Sequence, residues 1–334
     1  MNTAIMSMPP WLQPAWQLLQ QQYHAQRLPH ALLFIGQAGI GKTQLAQQFA
    51  HWLLCVEQAT HAVACGQCQV CRWVQADTCP DYFIVAPIDV GKAIKVDQIR
   101  QLTQGLGQTH HFANGYRVIL IQHADSMNQA AANALLKSLE EPYDRTIFLL
   151  VADQLWRLPA TIISRCQKVP VATPLIEISE PWLMQQINQP AQQVRALLQR
   201  AQGAPLMAIR LAENNDDTRQ EQWIDALLTR IQQAQFVSFD QKTSPVTHEV
   251  FDWLSSGLLD LLRCHWTDTN QPLTYANHRQ LLTQLSQQLR MDKILQILQH
   301  VLRCKQDYLS GISLNLSLLM DHWLLQLLAA RHRS

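Results

Sequence analysis

The segment from Gly36 to Thr43, GQAGIGKT, has the residue types and spacing of a phosphate-binding loop. Gly36, Gly39 and Gly41 allow the backbone to wrap a phosphate chain with its N–H groups. Lys42 stands where it would reach the β- and γ-phosphates, and the Thr43 hydroxyl stands where it would hold Mg²⁺. These five residues predict a site for ATP and Mg²⁺, but the loop alone does not predict that ATP is hydrolysed.

The sequence on both sides of the loop has the strand and helix that such a loop requires. The apolar run ALLFI at 31–35 precedes it, and the segment that follows carries Leu45, Phe49, Trp52 and Leu53 at helical spacing. A chance match in a glycine-containing turn would lack this context. The sequence therefore favours nucleotide binding.

Hydrolysis requires a carboxylate at the end of a neighbouring strand to hold magnesium, and a group that positions the attacking water. In the neighbouring run RVILIQHAD, Gln122 and His123 stand where an acidic pair is expected. An amide carries no charge, and a histidine with a pKa of about 6.5 is mostly neutral at neutral pH. The only acid near them in this segment is Asp125, which an extended chain would place about 10 Å away. We expect Asp125 in the turn before the next helix, and the sequence predicts no intrinsic ATPase activity.

Four cysteines, Cys55, Cys65, Cys68 and Cys71, lie within seventeen residues, three of them at C-x₂-C-x₂-C spacing. Four soft ligands at this spacing suit a tetrahedral Zn²⁺ ion that closes a small loop. Four protein ligands also leave no open position for a substrate. The pattern predicts one zinc ion with a structural role.

Two alternatives to zinc remain open at this point. An iron–sulfur cluster would need a fourth cysteine soon after Cys71 and before a proline, but Cys79 follows Cys71 after seven residues instead of three. Thiols without a metal are the other alternative. Three further cysteines, Cys166, Cys264 and Cys304, stand alone in apolar or helical contexts, and we expect them to be buried thiols.

The apolar runs that must position these residues alternate with helical patterns. Three runs follow ALLFI: YFIVA at 82–86, RVILIQ at 117–122 and TIFLLV at 146–151. The segments between them include a helical stripe through Val96, Ile99, Leu102 and Leu106, and the helical pattern AANALLKSLEE at 131–141. Buried strands that alternate with helices predict an α/β domain built on a parallel sheet with helices on both faces.

The rest of the chain reads as helical. Pro170, Pro174 and Pro181 predict a connecting region, and two short helices follow, separated at Gly203 and Pro205. From about residue 220 the pattern stays helical to the end, which predicts an all-α region with a bundle core. The stripes that would form this core are Phe251, Leu254, Leu258 and Leu261, and Leu316, Leu319, Trp323 and Leu327.

Length and composition limit the class of protein. A chain of 334 residues has room for two or three domains, and 48% hydrophobic with 15% charged residues predicts folded cores. The formal net charge of +1 argues against a protein that holds nucleic acid by charge alone, such as a zinc-bearing DNA-binding module. The N-terminal segment does not read as a secretion signal, and the apolar segment near the end is too polar to span a bilayer. We expect a cytoplasmic protein.

Several segments, taken in order, resemble the bacterial clamp-loader subunits of DNA polymerase III, which belong to the AAA+ family. They are HALLFIGQAGIGKTQLA, the four-cysteine insertion, CPDYFIVAP, VDQIRQL, ADSMNQAAANALLKSLEEP and LPATIISRC. The resemblance implies an AAA+ P-loop domain over 1–168 with the zinc module at 55–71, a small helical lid over 169–214 and a helical collar over 215–334. In this family the collar holds five subunits in an open ring.

The resemblance covers two subunit types, an ATP-hydrolysing motor (gamma/tau) and a non-motor subunit that supports the ring. A motor has an Asp-Glu pair where this chain has Gln122 and His123. A motor also has an arginine at the end of a G-x-x-R pattern, and this chain has Leu206 at that position. Both departures favour the non-motor type. Its implied partners are the gamma/tau motor and the delta subunit in a hetero-pentamer, with the sliding clamp and primer–template DNA reached through the complex.

Ser164-Arg165-Cys166 matches the Ser-Arg-Cys motif of the same family. The resemblance implies that Arg165 acts as an arginine finger, reaching the γ-phosphate bound by a neighbouring motor subunit. A surface arginine in an ordinary ion pair is the alternative for this residue. For the whole chain, the alternative function is an autonomous AAA+ ATPase of DNA replication or repair, which ATP turnover by the isolated chain would reveal.

Overall fold

A computed structural model of the chain describes residues 8–58, 61–88, 92–106, 115–213, 216–238, 249–266, 273–309, 312 and 314–331. The chain forms two compact units, Met1–Leu183 with Gly203–Met207, and Met184–Gln202 with Ala208–Ser334. The division into three domains expected from the sequence stays a prediction, and its boundary at residues 214 and 215 lies outside the described residues.

A five-stranded parallel sheet forms the centre of the first unit. Its strands are β1 (Ala31–Ile35), β2 (Tyr82–Val85), β3 (Arg117–Ile121), β4 (Thr146–Ala152) and β5 (Gln167–Pro170). They lie in the order β2-β3-β4-β1-β5, so β4 separates β3 from β1. The four strands predicted from apolar runs are confirmed within one residue at each end, and all of them reach the same edge of the sheet with their carboxyl ends.

Helices cover both faces of this sheet. The helices of the first unit are α1 (Gln13–His24), α2 (Lys42–Leu54), α3 (Gln69–Gln75), α4 (Val96–Leu106), α5 (Gln129–Glu140) and α6 (Ala160–Ile163). Successive residues of a strand point to opposite faces. Accordingly, Leu32 and Phe34 of β1 pack in the core with α1 and α2, while Ala31 and Leu33 pack in the core with α4 and α5. The predicted α/β fold is confirmed.

Strand β5 was not predicted from the sequence. It pairs with β1 in parallel, from Leu32 opposite Gln167 to Ile35 opposite Pro170. Of its four residues only Val169 is buried, because β5 lies at the edge of the sheet. An edge strand needs no continuous apolar run, and Pro170 at its end lacks only the N–H that a central strand would use.

The connecting region predicted around the three prolines is partly wrong, because a helix, α7 (Ile176–Ile187), contains Pro181. Proline in a helix interior removes one backbone hydrogen bond and costs about 3 kcal/mol. Burial of Leu183 on the same helix offsets part of this cost. The Ser179 hydroxyl donates a hydrogen bond to the Leu175 carbonyl oxygen at 3.1 Å, which holds the first turn.

The second unit is helical in the part of the chain that is described. Its elements are α8 (Ala191–Arg200), most of α9 (Pro205–Glu213), α10 (Asp216–Gln233), α11 (Glu249–Trp266), α12 (Arg279–Gln288), α13 (Met291–Leu309) and α14 (Leu316–Ala329). The two short helices predicted on either side of Gly203 are confirmed as α8 and α9. None of the described helices is long and apolar enough to cross a membrane.

Both predicted stripes contribute to the core of this unit. All four stripe residues of α11 are buried, and Trp323 and Leu327 of α14 are buried with them. The other two stripe residues, Leu316 and Leu319, are partly buried against the same core. The predicted bundle core is confirmed, since the apolar face of each helix is removed from water.

Candidate nucleotide, metal and arginine sites

The loop between β1 and α2 has the backbone of a phosphate-binding loop. Gly39 and Gly41 have φ values of +78° and +98°, a region that favours glycine. A Cβ atom at Gly39 would also lie only 2.6 Å from the Cβ atom of Met207. The Trp11 indole N–H donates to the Ile40 carbonyl oxygen at 2.7 Å and supports the loop from outside. The loop therefore needs glycine at positions 39 and 41, and Thr43 lies in the first turn of α2.

Lys42, the first residue of α2, is only 3% exposed. Its ammonium group donates to the carbonyl oxygens of Gly36 at 2.7 Å and Gln37 at 2.6 Å. It also pairs with the Oδ1 atom of Asp153 at 2.6 Å. A lysine ammonium has three N–H donors, so the chain itself supplies an acceptor for each of them.

Asp153 was missed by the sequence analysis. It follows β4 directly, and β4 lies beside β1, so the carboxyl ends of both strands bring Asp153 to the phosphate loop. Its Oδ2 atom lies 3.7 Å from Nδ1 of His123. Burial acts to raise the pKa of Asp153, but His123 and Lys42 together outweigh it and hold the pKa below its usual value. Its position directly after a buried apolar strand is the sequence signal that could have identified Asp153 as a site residue.

The end of β3 presents Gln122 and His123 at the same edge of the sheet. The Gln122 N–H donates to the Val85 carbonyl oxygen at 2.8 Å. His123 then adopts a left-handed conformation with φ +51°, and Ala124–Ser126 forms a 3₁₀ turn. The chain is therefore not extended beyond Gln122, contrary to the geometry assumed from the sequence.

Asp125 lies in that turn, as expected, and is buried. Its Oδ2 atom accepts a hydrogen bond from the Gln154 N–H at 2.9 Å, which ties the turn to the end of β4. Burial raises the pKa of Asp125. Asp125 is the acid of its own segment, but Asp153, from the segment after β4, is the carboxylate that contacts Lys42.

Leu206, which stands where a motor subunit would carry an arginine, lies against the phosphate loop. Its N–H donates to the Gly39 carbonyl oxygen at 2.9 Å. A Cβ atom at Gly41 would meet the Leu206 side chain at 3.5 Å. The position is therefore beside the loop, but an apolar side chain there supplies no charge to a phosphate.

The four cysteines of the predicted zinc module are brought together. Their sulfur atoms all lie within 4.8 Å of one another. The sulfurs of Cys65 and Cys71 are 3.9 Å apart, close to the roughly 3.8 Å that tetrahedral Zn–S bonds of about 2.3 Å require. Among the described residues, this metal-ligand group does not include Cys79, which packs in the core beside the sheet. The chain thus has a Cys₄ site that can hold a metal ion and fits zinc.

Backbone N–H groups are directed at these sulfurs. The N–H of Cys65 donates to the sulfur of Cys55 at 3.4 Å, and the N–H of Cys68 to the sulfur of Cys65 at 3.3 Å. The N–H of Cys71 donates to the sulfur of Cys68 at 3.4 Å. Burial acts to raise the pKa of Cys68, but such hydrogen bonds outweigh it and lower the pKa to about 7. The lowered pKa favours the thiolate of Cys68, the form that binds a metal, whereas burial raises the pKa of Cys55 and Cys71.

Arg165 follows the short helix α6 and is about one-third exposed. Its guanidinium donates to the Thr161 carbonyl oxygen at 2.9 Å and to the Ser164 hydroxyl at 3.4 Å. It also pairs with Glu140, the last residue of α5, at 2.5 Å. In the single chain Arg165 thus forms a partly exposed ion pair with Glu140. The sequence indicated such a pair as an alternative but did not identify the partner. The neighbouring Cys166 is buried, as expected.

The other two cysteines expected to be buried thiols lie in the helical unit. Cys304 is buried, and Cys264 is partly buried against the same core. Burial raises the pKa of both thiols, so both stay protonated at neutral pH.

Comparisons with known proteins match most of the chain. Residues 11–174 match the family described as "DNA polymerase III, delta subunit", and residues 215–328 match "DNA polymerase III, delta subunit, C terminal". The chain is 36% identical to DNA polymerase III subunit delta' of Pseudomonas aeruginosa over 95% of this chain and 96% of that protein. It is 30% identical to subunit delta' of Escherichia coli K12, over 95% and 94% of the two chains.

Among solved structures, a DNA polymerase III gamma subunit-related protein from Thermotoga maritima is similar to the chain. The match covers 96% of this chain and 99% of that one, with 17% identity and a TM-score of 0.46. A likeness at this level does not extend to the sites.

Proposed function

Because the chain belongs to the family of DNA polymerase III delta' subunits, we propose that it acts as the non-motor subunit of a clamp loader. Its partners are the gamma/tau motor and the delta subunit in a hetero-pentamer. This complex loads the sliding clamp onto primed DNA with the energy of ATP hydrolysis, and the chain contributes support and one side chain.

The observation that carries this proposal is a formed phosphate loop without the groups for hydrolysis. Gln122 and His123 follow β3, at the place where Mg²⁺ would need a carboxylate. Of the acids that the structure describes here, Asp153 pairs with Lys42 and Asp125 accepts a hydrogen bond from the Gln154 backbone. Leu206 places an apolar side chain beside the loop, at the position where a motor subunit would carry an arginine. The nucleotide site of this chain is therefore not built to turn over ATP.

The side chain that the chain contributes is Arg165. It lies partly exposed after α6, where one guanidinium nitrogen donates to the Thr161 carbonyl oxygen and the other pairs with Glu140. In the assembled ring it would leave or share this pair and meet the γ-phosphate held by a motor subunit. A planar cation there stabilises the charge that spreads over the phosphoryl group during transfer.

The helical regions support assembly in this proposal. Residues 169–214 would form the lid and residues 215–334 the collar that joins the neighbouring subunits. The second unit has an apolar core of its own. Contacts with primer–template DNA and the sliding clamp are reached through the complex, since the near-neutral chain offers no large cationic excess.

Purified alone, the chain should hydrolyse ATP no faster than a buffer control, with or without primed DNA. The reason is that Mg²⁺ and the attacking water lack their usual holders. A steady-state phosphate-release assay on the wild-type chain and on Lys42→Ala measures this, and both should give the same background.

Robust turnover that disappears in Lys42→Ala would contradict the proposal. It would favour the second candidate, an autonomous AAA+ ATPase of replication or repair, which the complete phosphate loop allows. In the reconstituted complex, Lys42→Ala in this chain should change clamp loading far less than the same change in the motor subunit.

A further inference from the structure

The contacts of Lys42 describe a site that already holds an anion. Two of its three N–H donors meet the carbonyl oxygens of Gly36 and Gln37, and the third meets the carboxylate of Asp153. The lysine of a phosphate loop serves a nucleotide by donating to phosphate oxygens. Here a phosphate oxygen finds no uncommitted donor on Lys42.

The order of the strands places Asp153 next to Lys42. β4 pairs with both β1 and β3, so the residue after β4 enters the space between the phosphate loop and the end of β3. His123 faces the other oxygen of the same carboxylate at 3.7 Å. Asp153 is only 27% exposed, and Lys42 is almost fully buried, so solvent screens the pair weakly.

From this geometry we propose that Asp153 sets the nucleotide affinity of the chain, because its carboxylate takes the place of a phosphate oxygen on Lys42. A triphosphate must displace Asp153 from the ammonium group. Once displaced, the carboxylate would stand beside the incoming phosphates with the same sign of charge, and two like charges in a partly buried site repel each other. The loop has the complete sequence motif, but the charge of its lysine is neutralised by Asp153 of the same chain. This inference concerns binding by the single chain and does not depend on the role of Arg165.

A metal role is the competing interpretation of the same carboxylate. If Asp153 turned from Lys42 to a magnesium ion, it would promote binding of MgATP. The two roles make opposite predictions for a neutral residue at this position, so one titration separates them.

The test is a titration of the purified chain with ATP and with ADP, each with Mg²⁺ and with EDTA, followed by calorimetry. Asp153→Asn keeps the size of the side chain and removes its charge, and it should bind ATP at least about tenfold more tightly than the wild type in both conditions. Asp153→Ser removes the same charge with a different shape and should show a gain of the same direction. The double variant Asp153→Asn/Lys42→Ala should lose the gain, because the gain passes through Lys42.

Asp125→Asn is the matched control. It removes a carboxylate at the same edge of the sheet, which accepts a hydrogen bond from the Gln154 backbone N–H, and it should leave ATP affinity unchanged. Equal affinity of Asp153→Asn, Asp153→Ser and the wild type would overturn the proposal. If Asp125→Asn bound ATP more tightly by the same factor, the effect of Asp153 would be a general charge effect and the proposal would fail. If Asp153→Asn bound ATP more weakly than the wild type, and only with Mg²⁺, Asp153 would be a metal ligand instead.

Discussion

Arg165→Ala should strongly reduce clamp loading by the reconstituted complex while leaving the chain itself folded. Loss of an arginine finger costs about 10³-fold or more in the chemistry of the nucleotide site that it completes. Total ATPase should fall only in part, because other sites of the ring have their own arginines. DNA-stimulated clamp loading should fall more steeply, since it needs the sites to act together.

The stability of the chain should hardly change in Arg165→Ala. The pair with Glu140 is about half exposed on the glutamate side, and exposed ion pairs contribute about 1 kcal/mol or less. Arg165→Lys should not restore clamp loading, because an ammonium group cannot reproduce the planar fork of a guanidinium.

Arg100→Ala is the matched control for this experiment. Arg100 is also an exposed arginine of the first unit and pairs with Asp97 at 3.4 Å. Both ATPase and clamp loading should survive that change. If Arg165→Ala assembled normally and loaded clamps at the wild-type rate, Arg165 would be only a surface charge, in the ordinary ion pair that the single chain shows.

Cys68→Ser should abolish metal binding or greatly lower the affinity for the metal. We expect freshly purified wild-type protein to contain one zinc ion per chain by elemental analysis. Changes to groups that only support a metal ligand cost about 10- to 100-fold in affinity, so loss of a direct ligand should cost more than about 100-fold. Because metal binding is coupled to folding of the loop, the midpoint of thermal unfolding should fall as well.

The effect of Cys68→Ser should be structural and not catalytic. The four cysteines lie between the end of α2 and the first turn of α3, at the opposite end of α2 from the phosphate loop. Cys264→Ser, which changes a thiol of the helical unit outside this group, should leave the zinc content at one. Iron in the wild-type protein, or no metal at all, would contradict the zinc assignment.

The features that the sequence predicted well are those with local signals. The apolar runs of β1, β3 and β4 are buried on both faces, so each stands out without knowledge of its neighbours. The run of β2 stands out by its apolar residues, although only Val85 of this strand is buried. The loop glycines and the cysteine spacing carry their geometry in consecutive residues. Four sulfurs within bonding reach of one ion therefore follow from spacing alone.

The features that the sequence missed depend on contacts between distant residues. β5 is an edge strand with one buried side chain, and α7 tolerates Pro181 because tertiary packing outweighs helix propensity. Asp153 lies 111 positions beyond Lys42 in the chain. Only the order of the strands, with β4 next to β1, brings the two charges together.

The most direct test of the account is reconstitution of the clamp loader from this chain with the gamma/tau and delta subunits of the same cell. Size-exclusion chromatography would follow assembly, and loading of a labelled clamp onto primed DNA would follow function. We predict a stable complex that contains this chain, and clamp loading that is lost when the chain is left out. A chain that stays apart from these subunits, or clamp loading that proceeds equally well without it, would contradict the proposal.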